Sequence, residues 1–227
     1  MKLEQILFTQ GFGPRRVCAG LIATGAVRIA GRVADDAGAD FDSEGLVFEV
    51  NGVSWSFRAR ALLMLHKPAG YECSRKPGNH PSVMSLLPAP LRQRGVQSVG
   101  RLDEDTTGLL LFTDDGALIH RLTSPKHHVP KIYQVRARHA VSDEQLQRLR
   151  EGVVLDDRPA PVLALTAQRT GERTLALTLA EGRYHQVKRM LAAVGNRCEA
   201  LHRSQFGALV LPPDLAVGHW RWVDQPV

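Results

Sequence analysis

Apolar and polar positions change period several times along the chain, and each change marks an expected element. Leu3, Ile6 and Leu7 share one helical face, and the breaker Gly11-Phe12-Gly13-Pro14 ends that run. A second helix is expected from about Arg15, with Val17, Leu21 and Ile22 turned inward. Residues 25–33 then alternate as a short hairpin turning at Ala30-Gly31. A linking tract follows at 53–61. Beyond it, period-2 or continuously apolar runs at 62–65, 109–113, 132–135 and 174–179 predict strands, the last with Leu175, Leu177 and Leu179 on one face. Ser142 with Gln145 three residues on is a capping-box signature, so a helix carrying Leu146 and Leu149 should run to Gly152. Val187, Met190, Leu191 and Val194 form an i, i+3, i+4, i+7 stripe that stops at Gly195. Strands and helices do not alternate regularly, which favours an α+β fold over a doubly wound parallel sheet. A small domain at 1–58 and a larger one at 59–227 are expected.

Composition narrows the class. With 44% hydrophobic residues in 227, a disordered or fibrous chain is excluded. No apolar run exceeds five residues, against the roughly 20 a spanning helix needs. The first residues, with Glu4 inside their short apolar stretch, do not read as a signal peptide. Cys18, Cys73 and Cys198 are odd in number and scattered, so neither a disulfide framework nor a paired-cysteine zinc site is indicated. A soluble, cytoplasmic monomer without membrane contact is the expectation.

Charge says more through its placement than through its total of +6. Residues 116–142 hold no acid but five bases and four histidines, and residues 73–102 hold no acid and five bases. Two such stretches suggest a surface facing a polyanion, although on charge alone solvated loops explain them equally well. The first 58 residues carry six bases and seven acids. Only a face built from Arg15, Arg16, Arg28 and Arg32 could meet a polyanion there.

The densest chemistry lies at 100–116, where Gly100-Arg101-Leu102-Asp103-Glu104-Asp105-Thr106-Thr107-Gly108 runs into Leu109-Leu110-Leu111-Phe112 and then a turn. Turn formation is the commonest use of Asp in such a loop. A calcium loop would take ligands from Asp103, Asp105 and Thr107 with an acid at 114, but no long flanking helices are legible. A phosphatase with an aspartyl nucleophile also reads D-x-D-x-T, here Asp103, Asp105 and Thr107. It would need a second acidic magnesium site near the end of its domain, and none is legible.

Other motifs extend the picture. Lys2-Leu3-Glu4, Pro14-Arg15-Arg16 and Leu21-Ile22-Ala23-Thr24-Gly25-Ala26-Val27-Arg28-Ile29-Ala30-Gly31 resemble a small α/β RNA-binding module. That module is shared by a small-subunit ribosomal protein, tyrosyl-tRNA synthetases and several RNA-modifying enzymes. Pro14 in place of Ser and Ala30 in place of Asn are departures from its pattern. Gly100-Arg101-Leu102-Asp103 followed by Thr106-Thr107-Gly108-Leu109-Leu110-Leu111 resembles the catalytic motif of pseudouridine synthases, and more narrowly of the RsuA-type ribosomal small-subunit branch. Leu65-His66-Lys67-Pro68-Ala69-Gly70-Tyr71-Glu72-Cys73-Ser74 is similar to another motif of that branch, with His66 for Asn. His80-Pro81-Ser82-Val83, Ser124-Pro125-Lys126-His127-His128 and Lys131-Ile132-Tyr133 follow in order. Glu181-Gly182-Arg183-Tyr184-His185-Gln186-Val187-Lys188-Arg189-Met190 and Leu201-His202-Arg203 with Phe206-Gly207 complete the set. The resemblance covers essentially the whole chain.

It implies an RNA-binding module of the ribosomal-protein type followed by a catalytic domain with a mixed, mostly antiparallel sheet. The implied activity is isomerisation of uridine to pseudouridine in small-subunit ribosomal RNA, naked or within an assembling ribonucleoprotein, at uridine 516 of the 16S molecule. A large-subunit uridine is the alternative within the branch, and a binding-only factor with a vestigial catalytic domain is the alternative outside catalysis. The resemblance implies Asp103 as the catalytic carboxylate, Tyr133 as the ring that packs on the target base, and Lys188 as the cation paired with Asp103. Arg101, Thr106, Thr107, Lys131, Arg183, His185 and Arg189 join Arg15, Arg16, Arg28 and Arg32 as candidate RNA-binding residues. Without the resemblance, Tyr133 reads as a core strand tyrosine and Lys188 as a solvated helix lysine.

The chemistry is consistent with that assignment. A C–N glycosidic bond breaks and C5 of the same base joins the same sugar carbon, so nothing is oxidised or imported, and no metal or cofactor is expected. One ionised carboxylate suffices as nucleophile or charge stabiliser. A nearby lysine keeps it ionised. A base taken out of its stack needs an aromatic face, and basic stretches hold the phosphates.

Overall fold

The computed structural model describes residues 1–155 and 158–224. Contacts divide the chain into two compact units, the first made of Met1–Ala61 with Leu87–Gln97 and the second of the rest. In the first unit, α1 (Leu3–Thr9) and α2 (Arg15–Ala23) precede β1 (Val27–Ile29), β2 (Arg32–Val33), β3 (Val47–Val50) and β4 (Val53–Ser56), which form a sheet in the order β2-β1-β3-β4. Leu3, Ile6, Leu7, Cys18, Ile22, Val27, Phe48 and Val50 are its core. The expected hairpin turns at Ala30 and Gly31, both at positive φ.

Three expectations need correction here. Val17 is half exposed, and the inward position goes to Cys18, four residues before Ile22, so α2 is phased one residue later than its apolar pattern suggested. Burial pushes the Cys18 thiol above its ordinary pKa. The tract at 53–61 is not wholly a linker, because its first residues pair with β3. Residues 87–97, with helix α3 (Ala89–Arg94), belong to the first unit rather than to the second domain. Gly11 explains how that segment is seated. Its φ is +88°, and an added Cβ would lie 2.0 Å from the Pro90 carbonyl oxygen, so only glycine lets the backbones approach. Arg94 reinforces the contact, donating to Gln10 Oε1 at 2.7 Å and to the Ala59 carbonyl at 3.1 Å.

The second unit is built on β5 (Leu62–Lys67), β6 (Gln97–Ser98), β7 (Thr107–Thr113), β8 (Lys131–Ala137), β9 (Val153–Leu155), β10 (Arg158–Val162), β11 (Thr166–Gly171), β12 (Thr174–Leu179), β13 (Cys198–Phe206), β14 (Leu209–Val210) and β15 (Trp220–Trp222). Its large sheet runs β11-β12-β8-β13-β7-β5-β15, with β14 beside β13 and β6 beside β7, while β9 and β10 pair separately. Along that path every pair is antiparallel except β13 with β7. The fold is α+β on a mixed, mostly antiparallel sheet, as expected.

Helices α4 (Gly116–Thr123), α5 (Asp143–Glu151) and α6 (Gln186–Ala193) accompany the sheet. The capping box of α5 is formed, with the Gln145 amide donating to Ser142 Oγ and the Ser142 amide to Gln145 Oε1. Leu149 of α5 and Leu191 of α6 are buried around one small cavity with Ala137 and Leu175 of the sheet. Burying each such side chain contributes about 1.5–3 kcal/mol.

Strands β5, β7 and β8 run past their apolar patterns, into Lys67, Thr107 and Lys131. Polar side chains ended the periodicity, but Lys67 and Lys131 are buried all the same. Gly108 sits at φ +109°, where a Cβ would lie 2.3 Å from the Arg203 carbonyl oxygen. Its missing side chain lets β13 close against β7 and sets Arg203 opposite Tyr133 of β8.

Candidate active site

The loop before β7 is held from beneath by a lysine. Lys67, fully buried at the end of β5, donates through Nζ to the carbonyls of Pro68 (3.0 Å), Asp103 (3.1 Å), Glu104 (3.1 Å) and Thr106 (2.9 Å). Burial lowers its pKa from the ordinary lysine value, against the opposing field of Cys73, Glu104, Asp105 and Asp103. The Thr106 amide closes a turn onto the Asp103 carbonyl at 3.1 Å, and the Gly70 amide donates to Glu104 at 2.9 Å. With its backbone fixed in this way, Asp103 lines a cavity of about 110 Å³.

That cavity is walled by Arg101 and Thr106 from the same loop and by Leu122 and Thr123 of α4. Lys131 and Tyr133 of β8, residues of the segment from Glu181 to Val187 other than Tyr184, and Leu201, Arg203 and Phe206 of β13 add to the wall. Tyr133 is 7% exposed. His185 opens α6 in the left-handed region, with its ring stacked on the exposed Tyr184 and its Nε2 3.5 Å from Asp103 Oδ1.

Lys188 stands between two carboxylates. Its Nζ is 3.4 Å from Asp103 Oδ2 but 2.6 and 2.8 Å from the two oxygens of Asp105. Burial works against its charge, yet the Asp105 hydrogen bond and both carboxylate charges win and raise its pKa. For Asp105 the same contest, burial against Lys188, ends with its pKa lowered. Asp105 does not line the cavity and its side chain is 56% exposed, so of the two acids Asp103 is the one presented to a ligand.

The structure brings Asp103, Tyr133, Arg101, Thr106, Lys131, Arg183 and His185 to this cavity, with Lys188 behind Asp103. Two expected residues lie elsewhere. Thr107 opens β7, its Oγ1 meets His202 Nδ1 at 2.9 Å, and the residue lines a different cavity. Arg189 is not among the residues lining the cavity, since the residue after Lys188 on α6 points elsewhere. Arg15, Arg16, Arg28 and Arg32 are exposed on the first unit. Arg15 lies 3.8 Å from Glu4, and Arg28 donates to the Gly31 carbonyl. The D-x-D-x-T reading loses its geometry, because Asp105 and Thr107 turn to different partners. The same divergence undoes the calcium-loop register.

Lys67 and Arg203 escaped assignment by sequence reasoning. A lysine closing an otherwise apolar strand was the available signal for Lys67, and for Arg203 an arginine amid an alternating strand.

The family model for RNA pseudouridylate synthase matches residues 61–193. The chain is 37% identical over 227 residues to the ribosomal small subunit pseudouridine synthase A of Vibrio parahaemolyticus, covering 99% of this chain and 97% of that one. It is 47% identical over 163 residues to the protein of that name from Yersinia pestis, covering 70% and 67%. A solved structure described as a pseudouridylate synthase superposes with a TM-score of 0.69 at 33% identity, covering 98% of this chain and 96% of that one. The chain belongs to the RNA pseudouridylate synthase family, and its relatives put it with the ribosomal small-subunit enzymes of RsuA type.

Proposed function

We propose that this chain isomerises uridine 516 of 16S ribosomal RNA in the cytoplasm, using the Asp103 carboxylate. The observation that carries this reading is one small cavity lined by both Asp103 and Tyr133, with the Lys188 cation 3.4 Å from the Asp103 carboxylate. The target nucleotide leaves its stack and its base lies against Tyr133. The bond from C1′ to N1 breaks while Asp103 adds to the sugar carbon or offsets the positive charge developing there. The base turns, C5 bonds to C1′, C5 gives up its proton and N1 takes one. Lys188 keeps the carboxylate ionised. Arg101 and Arg183 at the cavity supply contacts to the backbone of the RNA.

Mapping pseudouridines in ribosomal RNA from a deletion strain tests the target. Loss at position 516 alone supports it, loss at a large-subunit uridine moves the activity to the other subunit, and no loss removes ribosomal RNA as the substrate.

Tyr133 is the ring against the base. Tyr133→Phe should slow single turnover by at least about tenfold if the hydroxyl moves a proton, within the range of acid–base contributions, while RNA affinity stays. If only stacking matters, Phe should retain the rate that Leu loses. Wild-type rates in both variants would take Tyr133 out of the chemistry.

The first unit grips RNA beside the target through Arg15, Arg16, Arg28 and Arg32. Each phosphate contact contributes a log–log salt slope of about −0.9 on duplex and less on single strands. Reversing Arg15 and Arg16 to Glu should weaken binding and flatten that slope, leaving the rate at saturating RNA nearly unchanged. Affinity measured at several salt concentrations decides, and an unaltered slope would mean that this face does not touch RNA.

A further inference from the structure

We propose that Arg203 and Lys131 form a cationic seat for the detached uracil, holding the negative charge that passes onto the base while its bond to the sugar is broken. This rests on Asp103 acting at the sugar in the same cavity. Arg203, 3% exposed, comes from β13 and lines the cavity. Its Nε donates to the Leu109 carbonyl at 2.8 Å, and its guanidinium lies over the Phe206 ring at 5.1 Å. That bond fixes the plane of the group. Its Nη2 is buried and finds no hydrogen-bond partner among the described residues.

Lys131, 7% exposed, enters from β8 with its Nζ over the same Phe206 ring at 5.2 Å. Two buried cations thus lie by one ring and repel each other, and the nearby acid Glu181 is bonded to Arg183. Thr106, also in the cavity wall, carries a second buried polar atom, Oγ1, without a partner among the described residues. A pin between β7 and β13 accounts for the Nε bond alone. It leaves unexplained an orphan guanidinium nitrogen, an orphan hydroxyl and a lysine placed beside an arginine.

The reaction explains all three. When C1′–N1 breaks heterolytically, the bonding pair stays with the base and spreads over N1, O2 and O4. The sugar carbon becomes electron-poor. The cavity is polarised to match, with the Asp103 carboxylate for the sugar and Arg203 and Lys131 for the base oxygens. Preorganised donors in a site closed to water are worth far more to developing charge than to a neutral ground state. Rotation about χ1 lets Thr106 turn its buried hydroxyl to the edge of the base. Uracil presents two carbonyl acceptors there, and cytosine presents one with an amino group.

A pH signature follows. Burial and the neighbouring Arg203 lower the pKa of Lys131 to about 8, with Glu181 opposing. The other charged or titratable groups around the cavity are Arg101, Asp103, Arg183 and His185, with Tyr133 on the strand of Lys131 itself. Lys131 is charged below about pH 8 and loses its proton above it, so the rate should fall as pH rises through that value.

The experiment measures single-turnover rate and RNA affinity for Arg203→Gln, Lys131→Met and Lys131→Arg, on the small-subunit RNA fragment that the wild type modifies. Arg203→Gln should lose about 100-fold in rate, the size of one preorganised donor, with affinity changed by less than about threefold on the same scale. Lys131→Met should lose rate likewise, and its profile should no longer fall near pH 8. Lys131→Arg should restore rate and keep it at high pH, an outcome that a packing role would not produce. If Arg203→Gln does not fold, the two Lys131 variants decide. Rates near wild type, or losses confined to affinity, overturn the proposal. An inactive Asp103→Asn beside active Arg203 and Lys131 variants sinks only this seat, whereas an active Asp103→Asn sinks the reading beneath it.

Discussion

Asp103→Asn should lower single-turnover rate by roughly 10⁴-fold or more, the scale seen when a nucleophile is removed, with RNA affinity largely retained. The substitution keeps volume and shape and removes only the charge and the nucleophilic oxygen pair. The backbone around it would not notice, because Lys67 binds the carbonyl of residue 103 and not its side chain. Asp105→Asn is the control that makes the experiment informative, since Lys188 lies closer to Asp105 than to Asp103. Distance alone would nominate Asp105. Exposure decides otherwise, for Asp105 is outside the cavity and half in water, where an ion pair is screened. Losing its charge should cost less than about tenfold in rate, since Lys188 can then turn wholly to Asp103. Full activity in Asp103→Asn, or a dead Asp105→Asn beside it, would exchange the roles of the two acids.

What the sequence made legible follows from periodicity. Strand β12 and helix α5 stood out because Leu175, Leu177 and Leu179 alternate and because Ser142 and Gln145 cap each other. Both signals are local and survive any tertiary arrangement. The phase of α2 was misjudged because Val17 and Cys18 are both small and apolar, and only packing against Phe48 and its neighbours chooses between them. The apolar patterns at 62–65 and 132–135 stop short of Lys67 and Lys131, where burial of a charge depends on partners distant in sequence. The motif resemblance named Asp103, Tyr133 and Lys188, and they do lie together. It could not separate Thr106 from Thr107, because the first lies in the loop and the second opens β7, with different partners. Nor could it reveal that Lys188 is shared, since Asp105 enters only through the turn of the loop.

Lys67→Met should cost at least about 100-fold in rate together with a fall of about 5–10 °C in melting temperature. One buried ammonium gathers four carbonyls, three of them from residues 103 to 106. Methionine matches the length of lysine and is content in an apolar site, so the strand itself should still pack. Removing a buried charge also removes its desolvation cost, which offsets part of the loss. What remains is a loop whose carbonyls have lost their common donor. Those of Asp103 and Glu104 can turn to water, and that of Thr106, beneath β7, has less room to do so. A net cost of about 2–3 kcal/mol follows from one or two groups left unsatisfied, and for a chain of this size that corresponds to the stated shift. The rate falls for a separate reason, because a misplacement of about 1 Å in a catalytic group costs on the order of 100-fold. Lys67→Arg should not rescue it, since a planar guanidinium cannot converge on four carbonyls as a compact ammonium does. Hydrogen exchange at the amides of 101–107 would show the loop loosening while β12 and β13 keep their protection. If Lys67→Met retains both rate and melting temperature, the loop is held by its own bonds, Thr106 to Asp103 and Gly70 to Glu104. The lysine would then be a tolerated charge and not the support of Asp103.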